Sequence, residues 1–215
     1  MWEVNGIVGR GEKPPLCAGT ESGVAAVLGS GRCIWDDLQK LEKLISLDKI
    51  GIIAINNMIM HYHRRVHHAV SLHPEEPPLW VALRKTNHGD TSKTHTHSHR
   101  IPKNADNTPV KNHGLDYIWD IELSKGGSSG LLAAMIGLAL GYNKIILAGV
   151  PLDGSGHFYD PAWEITRQFS GQNIDLEWKW ANDRYIKGRV KSLSGRTRDW
   201  FGEPTEEWVN DSKRY

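Results

Sequence analysis

Residues 126–160 read GGSSGLLAAMIGLALGYNKIILAGVPLDGSGHFYD. The apolar run from Leu131 to Leu140 covers about half of the ~20 residues a helix needs to cross a bilayer. It is apolar nearly all round, which predicts a helix over 128–142 buried against a sheet face. Ser128 or Ser129 can cap its start, leaving the other hydroxyl and the amides of the Gly126–Gly130 turn facing outward. NKIILAGVPLD then reads as a central strand whose apolar run stops at Pro151 and Asp153. The order is turn, buried helix, buried strand and acidic glycine-rich loop, which describes part of a βαβ unit.

The same order occurs upstream. GVAAVLGSGR is a short apolar strand running into the Gly29-Ser30-Gly31-Arg32 turn, and in IWDDLQKLEKLISL the residues Ile34, Leu38, Leu41 and Ile45 share one helical face. Asp36 and Asp37 stand near the positive end of that helix. KIGIIAINN gives a second strand ending at Asn56 and Asn57, and HHAVSLHP gives a third. Strands alternating with helices predict an α/β fold with a mostly parallel, doubly wound sheet in three layers. Residues 1–22, rich in Gly and Pro, read as an irregular segment, and 23–160 as the core. Residues 85–112, KTNHGDTSKTHTHSHRIPKNADNTPVKN, read as a polar His-rich loop or hairpin insertion, and 161–215 as a helical and extended C-terminal arm.

Composition narrows the function classes. The 215 residues carry a formal charge of +1 and are 39% hydrophobic, enough for one core and too neutral for a surface tuned to nucleic acid. Cys17 and Cys33 are too few for a disulfide framework, and neither sits in a CxxC spacing. The start, MWEVNGIVGRGEKPP, lacks the apolar stretch of a signal peptide, so a cytoplasmic location in the producing or infected cell is the expectation, with no membrane span.

In an open parallel sheet, ligands bind beyond the carboxyl ends of the strands, where helix N-termini present amides to anions. Gly29, Ser30, Gly31 and Arg32 therefore form either a phosphate-facing turn or a tight turn packed under a helix; they lack the third glycine of GxGxxG and the Gly-Lys-Ser/Thr of a P-loop. Asn56 and Asn57 can read a base or sugar edge, although one of the pair suits a turn. Ser128, Ser129 and Gly130 cap a helix at the same edge. Asp153 and His157, four residues apart in DGSGHFYD, can converge on one rim for acid–base work or for a divalent metal, or His157 can be a surface residue. On an extended segment His95, His97 and His99 project to one side and can grip a metal ion, or can simply populate a polar loop. The basic stretch Arg184 to Arg198 can meet phosphates or form a solvated face, and Trp178, Trp180, Trp200 and Trp208 read as anchors docking the arm.

Taken together, VLGSGRCIWDDL, IAINN and GGSSGLLAAMIGLALGYNKIILAGVPLD resemble the Rossmann-like architecture of bacterial CMP-sialic-acid-dependent sialyltransferases and of the 6-hydroxymethylpterin diphosphokinase-like family. The resemblance covers residues 24–160. It implies a nucleotide or nucleotide-sugar ligand, with Gly29, Ser30 and Gly31 lining the phosphate or ribose and Asn56 or Asn57 on the base or sugar. Ser128, Ser129 and Gly130 would hold phosphate or carboxylate, and Asp153 would lie beside the ligand. Arg32-Cys33 stands where those families have Pro-Ser, and their later His/Tyr catalytic segment has no secure match, so His157 and Tyr159 are candidates by location. VKSLSGRTRDWFGEPTEEWV resembles the end of small proteins of tailed phages and prophages. The expected activity is transfer of a sugar or phosphoryl group from an activated nucleotide donor. The alternatives are a non-catalytic phage accessory protein that binds a nucleotide or host factor on the same fold and, third, a metal-dependent hydrolase built on the His-rich segment. A homo-oligomer formed through the C-terminal arm is a further expectation.

Overall fold

A computed structural model describes residues 2–4, 7–10, 23–90, 92–121, 128–161 and 172–211. Strands β1 (Trp2–Val4), β2 (Ile7–Arg10), β3 (Val24–Leu28), β4 (Gly51–Ile55), β5 (His68–Val70), β6 (His95–Ser98), β7 (Tyr117–Asp120), β8 (Lys144–Ala148) and β9 (Val190–Ser192) form one sheet in the order β1-β2-β7-β6-β5-β4-β3-β8-β9. The seven strands from β7 to β9 are all parallel, and the β1–β2 hairpin adds antiparallel pairs at one edge. The chain winds outward from β3 through β4, β5, β6 and β7, then returns to place β8 and β9 on the other side of β3. The switch point is therefore the gap between the ends of β3 and β8.

Strand alternation sends neighbouring side chains to opposite faces. Ala25 and Val27 of β3, Ile53 of β4 and Ile145 and Leu147 of β8 face α4 (Ser129–Ala139) and Trp178 of α5 (Gln172–Ala181). Ala26, Leu28, Ile52 and Ile146 face α1 (Ile34–Leu44), α2 (Met58–His61), α3 (Glu76–His88) and Val209 of the short helix α7 (Glu206–Asn210). This is the three-layer α/β arrangement expected from the sequence. Every residue of α4 is buried, as its all-round apolarity requires.

Three expectations are corrected. Residues 85–112 are not one loop: α3 runs to His88, where Gly89 at φ 63° closes it, and His95–Ser98 is an interior strand between β5 and β7. Beyond β6 the 99–116 crossover is irregular. Polar residues fill an inner strand because they bond to one another. Trp119 Nε1 donates to His97 Nδ1 at 3.0 Å, which makes His97 Nε2 the donor to His68 Nδ1 at 2.9 Å. Burial holds the His97 imidazolium pKa well below its ordinary value and pushes that of His68 down to about 3, so both rings are neutral.

The N-terminal segment is not irregular throughout, since β1 and β2 pair with each other and with β7; the rest of that expectation, 11–22, lies outside the described residues. Nor is the C-terminal part simply an appended arm: β9 pairs with β8 inside the parallel sheet. There Trp178 is buried, whereas Trp200 is 39% exposed with the Arg196 guanidinium 4.9 Å from its ring centre. Among the described residues, no helix is long and apolar enough to cross a membrane.

Candidate functional site

Two backbones cross at the switch point with no room for side chains. A Cβ on Gly29 would lie 2.3 Å from the Gly149 carbonyl oxygen, and one on Gly149 would lie 2.4 Å from that of Gly29. Gly149 also takes φ 66°, a left-handed value that favours glycine. Glycine at these two positions is thus a packing requirement. A buried carboxylate holds the crossing from behind: Asp37 Oδ2 accepts from the Gly149 amide at 2.9 Å and from the Ser194 hydroxyl at 2.6 Å. The sequence placed Asp37 at a helix start and gave no sign of this role, because its partners lie 112 and 157 residues away.

In front of the crossing opens a cleft of about 60 Å³, small beside the usual small-ligand pocket. The end of β3 contributes Gly29, Ser30 and Gly31; the end of β4, Ile55 and Asn56; the start of α4, Ser128, Ser129 and Gly130. Gly149 to Gly154, Gly156 and His157 line it on the β8 side. Asp153 is among them, with its Oδ1 accepting from the Ser155 amide at 3.0 Å. The cleft brings together nine of the eleven ligand and acid–base candidates. Arg32 and Asn57 are not among its lining residues. Arg32 bonds the carbonyls of Ser155 and Pro161, so it braces the 153–161 loop, and Asn57 opens α2. The residues the sequence did not single out are Ile55, Gly149, Val150, Pro151, Leu152, Gly154 and Gly156. The proline-glycine punctuation of GVPLDGSG is the signal that could have found most of them.

The start of α4 presents two amides at the cleft wall. Ser128 Oγ accepts from the Leu131 amide and from Trp178 Nε1, which fixes the cap rotamer. Ser129 Oγ accepts from the Leu72 amide, tying the turn to the end of β5. The amides of Ser129 and Gly130 have no acceptor among the described residues, as expected for the first turn of a helix. Gly126 and Gly127 of this turn lie outside the described residues.

On the opposite wall, Gly31 and His157 form a β-bridge, and the Phe158 amide donates to the Ser30 carbonyl. Asp160 Oδ2 accepts from the His157 amide at 2.7 Å and pairs with its ring Nδ1 at 2.8 Å. Those bonds hold the Asp160 carboxyl below the usual carboxylate range, the amide bond foremost. With Nδ1 protonated toward Asp160, Nε2 becomes the basic nitrogen of His157. Tyr159 stacks on the imidazole at 5.0 Å; burial pushes its phenol up, partly offset by a bond to the Ser30 hydroxyl. Asn56 and Leu152, both lining the cleft, take φ 50° and 52°. Asn tolerates that region; for Leu it is backbone strain of the kind found at functional sites.

Cys33 lies behind this wall against Ser194, and burial pushes its thiol up to about 12, which removes it as a nucleophile. The His95-His97-His99 segment belongs to β6, three strands away from β3. His97 has both ring nitrogens engaged, and among the described residues no group of three or more His, Cys, Asp or Glu is arranged to hold a metal ion.

Comparison of the chain with protein-family models, with curated proteins and with solved structures finds no match.

Proposed function

We propose that the switch-point cleft binds a nucleotide or nucleotide-sugar donor and that the protein is a transferase with His157 as general base. The observation that carries this reading is the convergence, on one cleft, of the α4 N-terminus, Asn56 and a histidine whose Nδ1 is held by Asp160. Amides at a helix start suit one phosphate, Asn56 suits a sugar or base edge, and an imidazole held on a carboxylate suits proton removal from an acceptor hydroxyl. The strain at Leu152 supports the same location.

Sugar transfer is favoured over phosphoryl transfer. Among the described residues no lysine or arginine lines the cleft, whereas phosphoryl transfer relies on cations that neutralise the charge spreading over the transferred group. Asp153 and His157 are the two side chains a divalent metal would meet here. Asp153 has one carboxylate oxygen already committed to the Ser155 amide, so the residues present do not complete a ligand set.

Thermal denaturation with CMP, CDP, UDP, ATP and nucleotide sugars tests the reading. A ligand at 100 times its dissociation constant contributes about 2.7 kcal/mol, and stabilisation by CMP, UDP or their sugars is expected. No stabilisation by any nucleotide would overturn the proposal. His157→Ala is expected to keep donor binding and to lower turnover by roughly 10²–10⁴, the usual worth of a general base. Unchanged turnover would remove the assignment of His157. Binding without turnover by the unmodified protein would instead support a non-catalytic nucleotide-binding role on the same fold.

A further inference from the structure

The crossover from β6 to β7 has no helix. Its residues 99–116 run as an irregular strap, bridged at Lys103 and Pro109, and a second groove of about 510 Å³ opens between this strap and β7. Its lining combines two chemistries. Ile101, Leu115 and Ile118 supply apolar surface, while His99, Arg100, Lys103 and His113 supply nitrogen donors.

Arg100 and Lys103 are exposed at the groove, and His99 and His113 are partly buried beside them. Arg100 and Lys103 make no hydrogen bond or ion pair among the described residues. His99 Nδ1 is shut off from solvent with no hydrogen-bond partner, a costly state for a polar atom. His113 Nδ1 accepts from the Leu115 amide, so its Nε2 carries the hydrogen and is a donor. Asp116 is the carboxylate in the lining, and its Oδ2 already accepts from the Thr96 amide and hydroxyl.

We propose that this groove is a second binding site, for a small organic anion with an apolar body such as an aryl carboxylate, sulfonate or phosphate. The anionic head would accept from Arg100, Lys103 and the imidazoles of His99 and His113, and the body would cover Ile101 and Leu115. Two cations, one of them a planar guanidinium, suit an oxyanion, and partial enclosure strengthens each bond relative to open water. The site is separate from the switch-point cleft and does not rest on the nucleotide reading.

Binding should couple to protonation. Burial, followed by the positive charges of Arg100 and His73, holds the His99 imidazolium pKa below its ordinary value. An anion placed among His99, Arg100, Lys103 and His113, against the single carboxylate Asp116, reverses that repulsion and draws a proton onto His99.

The test uses naphthalene-2-sulfonate, whose own charge does not change between pH 6 and 8, titrated into the full chain with amide NMR shifts as the readout. Saturable shifts confined to the 99–103 and 113–118 amides are expected, with affinity several-fold higher at pH 6 than at pH 8. Arg100→Ala/Lys103→Ala should weaken binding at least tenfold, as should Ile101→Asp; these side chains are exposed, so the fold is retained. His99→Gln should flatten the pH dependence. Absent or non-saturable shifts, shifts centred on Ser128–Gly130, or an affinity unchanged in both of the first two variants would overturn the proposal.

Discussion

Between pH 6.5 and pH 4 the protein is expected to lose stability progressively through three histidines that stay neutral in the folded chain, the buried His68 and His97 and the part-buried His67. Burial is the main cause in each case. It pushes His67 down to about 4 and His68 to about 3, and it holds His97 well below its ordinary value of 6.5. An unfolded chain protonates these rings as the pH falls through 6.5, whereas the folded chain does not until several units lower. The unfolded state therefore binds more protons across this window, and the stability present above pH 6.5 is lost as the pH falls. At pH 5 the loss is on the order of a few kcal/mol, a large share of the stability of many domains.

The hydrogen bonds point the same way. His67 Nδ1 accepts from the Ile52 amide, and His97 Nδ1 accepts from Trp119, so protonating either nitrogen breaks a bond inside the sheet. Carboxylates such as Asp90, lowered to about 2, contribute only below about pH 4 and leave the histidine window distinct. Urea unfolding at pH 7.5, 6 and 5 is the measurement. The midpoint should fall steeply, with little response to added salt because burial and not surface charge is the cause. A midpoint constant from pH 7.5 to 5 would contradict this account of β5 and β6.

Asp37→Ala is expected to cost about 3 kcal/mol, since a hydrogen bond to a charged group contributes about 1.5–3 kcal/mol. The Asp37 carboxylate is fully buried and carries two bonds that join otherwise distant parts of the chain, the turn after β8 and the turn after β9. Truncation leaves the Gly149 amide with no acceptor, and an unsatisfied buried donor contributes about 1–3 kcal/mol of that loss. Lys40, 3.8 Å from Oδ1 and about half exposed, offsets little of the cost of burying the charge. Asp37→Asn keeps one acceptor and should lose less. Equilibrium unfolding of the two variants gives the comparison, and the alanine variant should also show weaker nucleotide stabilisation, because Gly149 forms part of the cleft wall. A loss below about 1 kcal/mol would mean that the backbone hydrogen bonds from the Gly29 amide to the Ala148 carbonyl and from the Gly31 amide to the Gly149 carbonyl hold the crossing without Asp37.

Local sequence carried most of the strand and helix assignments around the cleft because their signals are short in range. The apolar runs 24–28, 51–55 and 144–148 are strands buried on both faces, and the all-apolar 131–140 run is covered by sheet and α5, as their composition demands. Strand ends punctuated by Gly-Ser-Gly, Asn-Asn and Pro-Leu-Asp marked the edge where the cleft opens for the same reason. The assignment failed where polarity was read as exposure. His-Thr-His-Ser at 95–98 looks like loop in composition, yet the side chains of Thr96, His97 and Ser98 bond to Gly114, His68 and Ser71, 18, 29 and 27 residues away, and no local window contains those partners. Similarly, α3 begins with Pro at its first turn, a favourable place for proline that reads as a breaker when the helix is not already known.

What the sequence by itself determined is the alternation of buried strands and helices and the set of small polar residues at their ends, because backbone conformation and burial periodicity are encoded within a few residues. The tertiary structure alone decided that β8 returns beside β3, that Gly29 and Gly149 cross in contact, that Arg32 turns to the 153–161 loop and that Asp37 anchors the crossing. Those facts depend on strand order and on bonds spanning more than a hundred residues, and pairing at that distance is chosen by the global packing of both helical layers on one sheet.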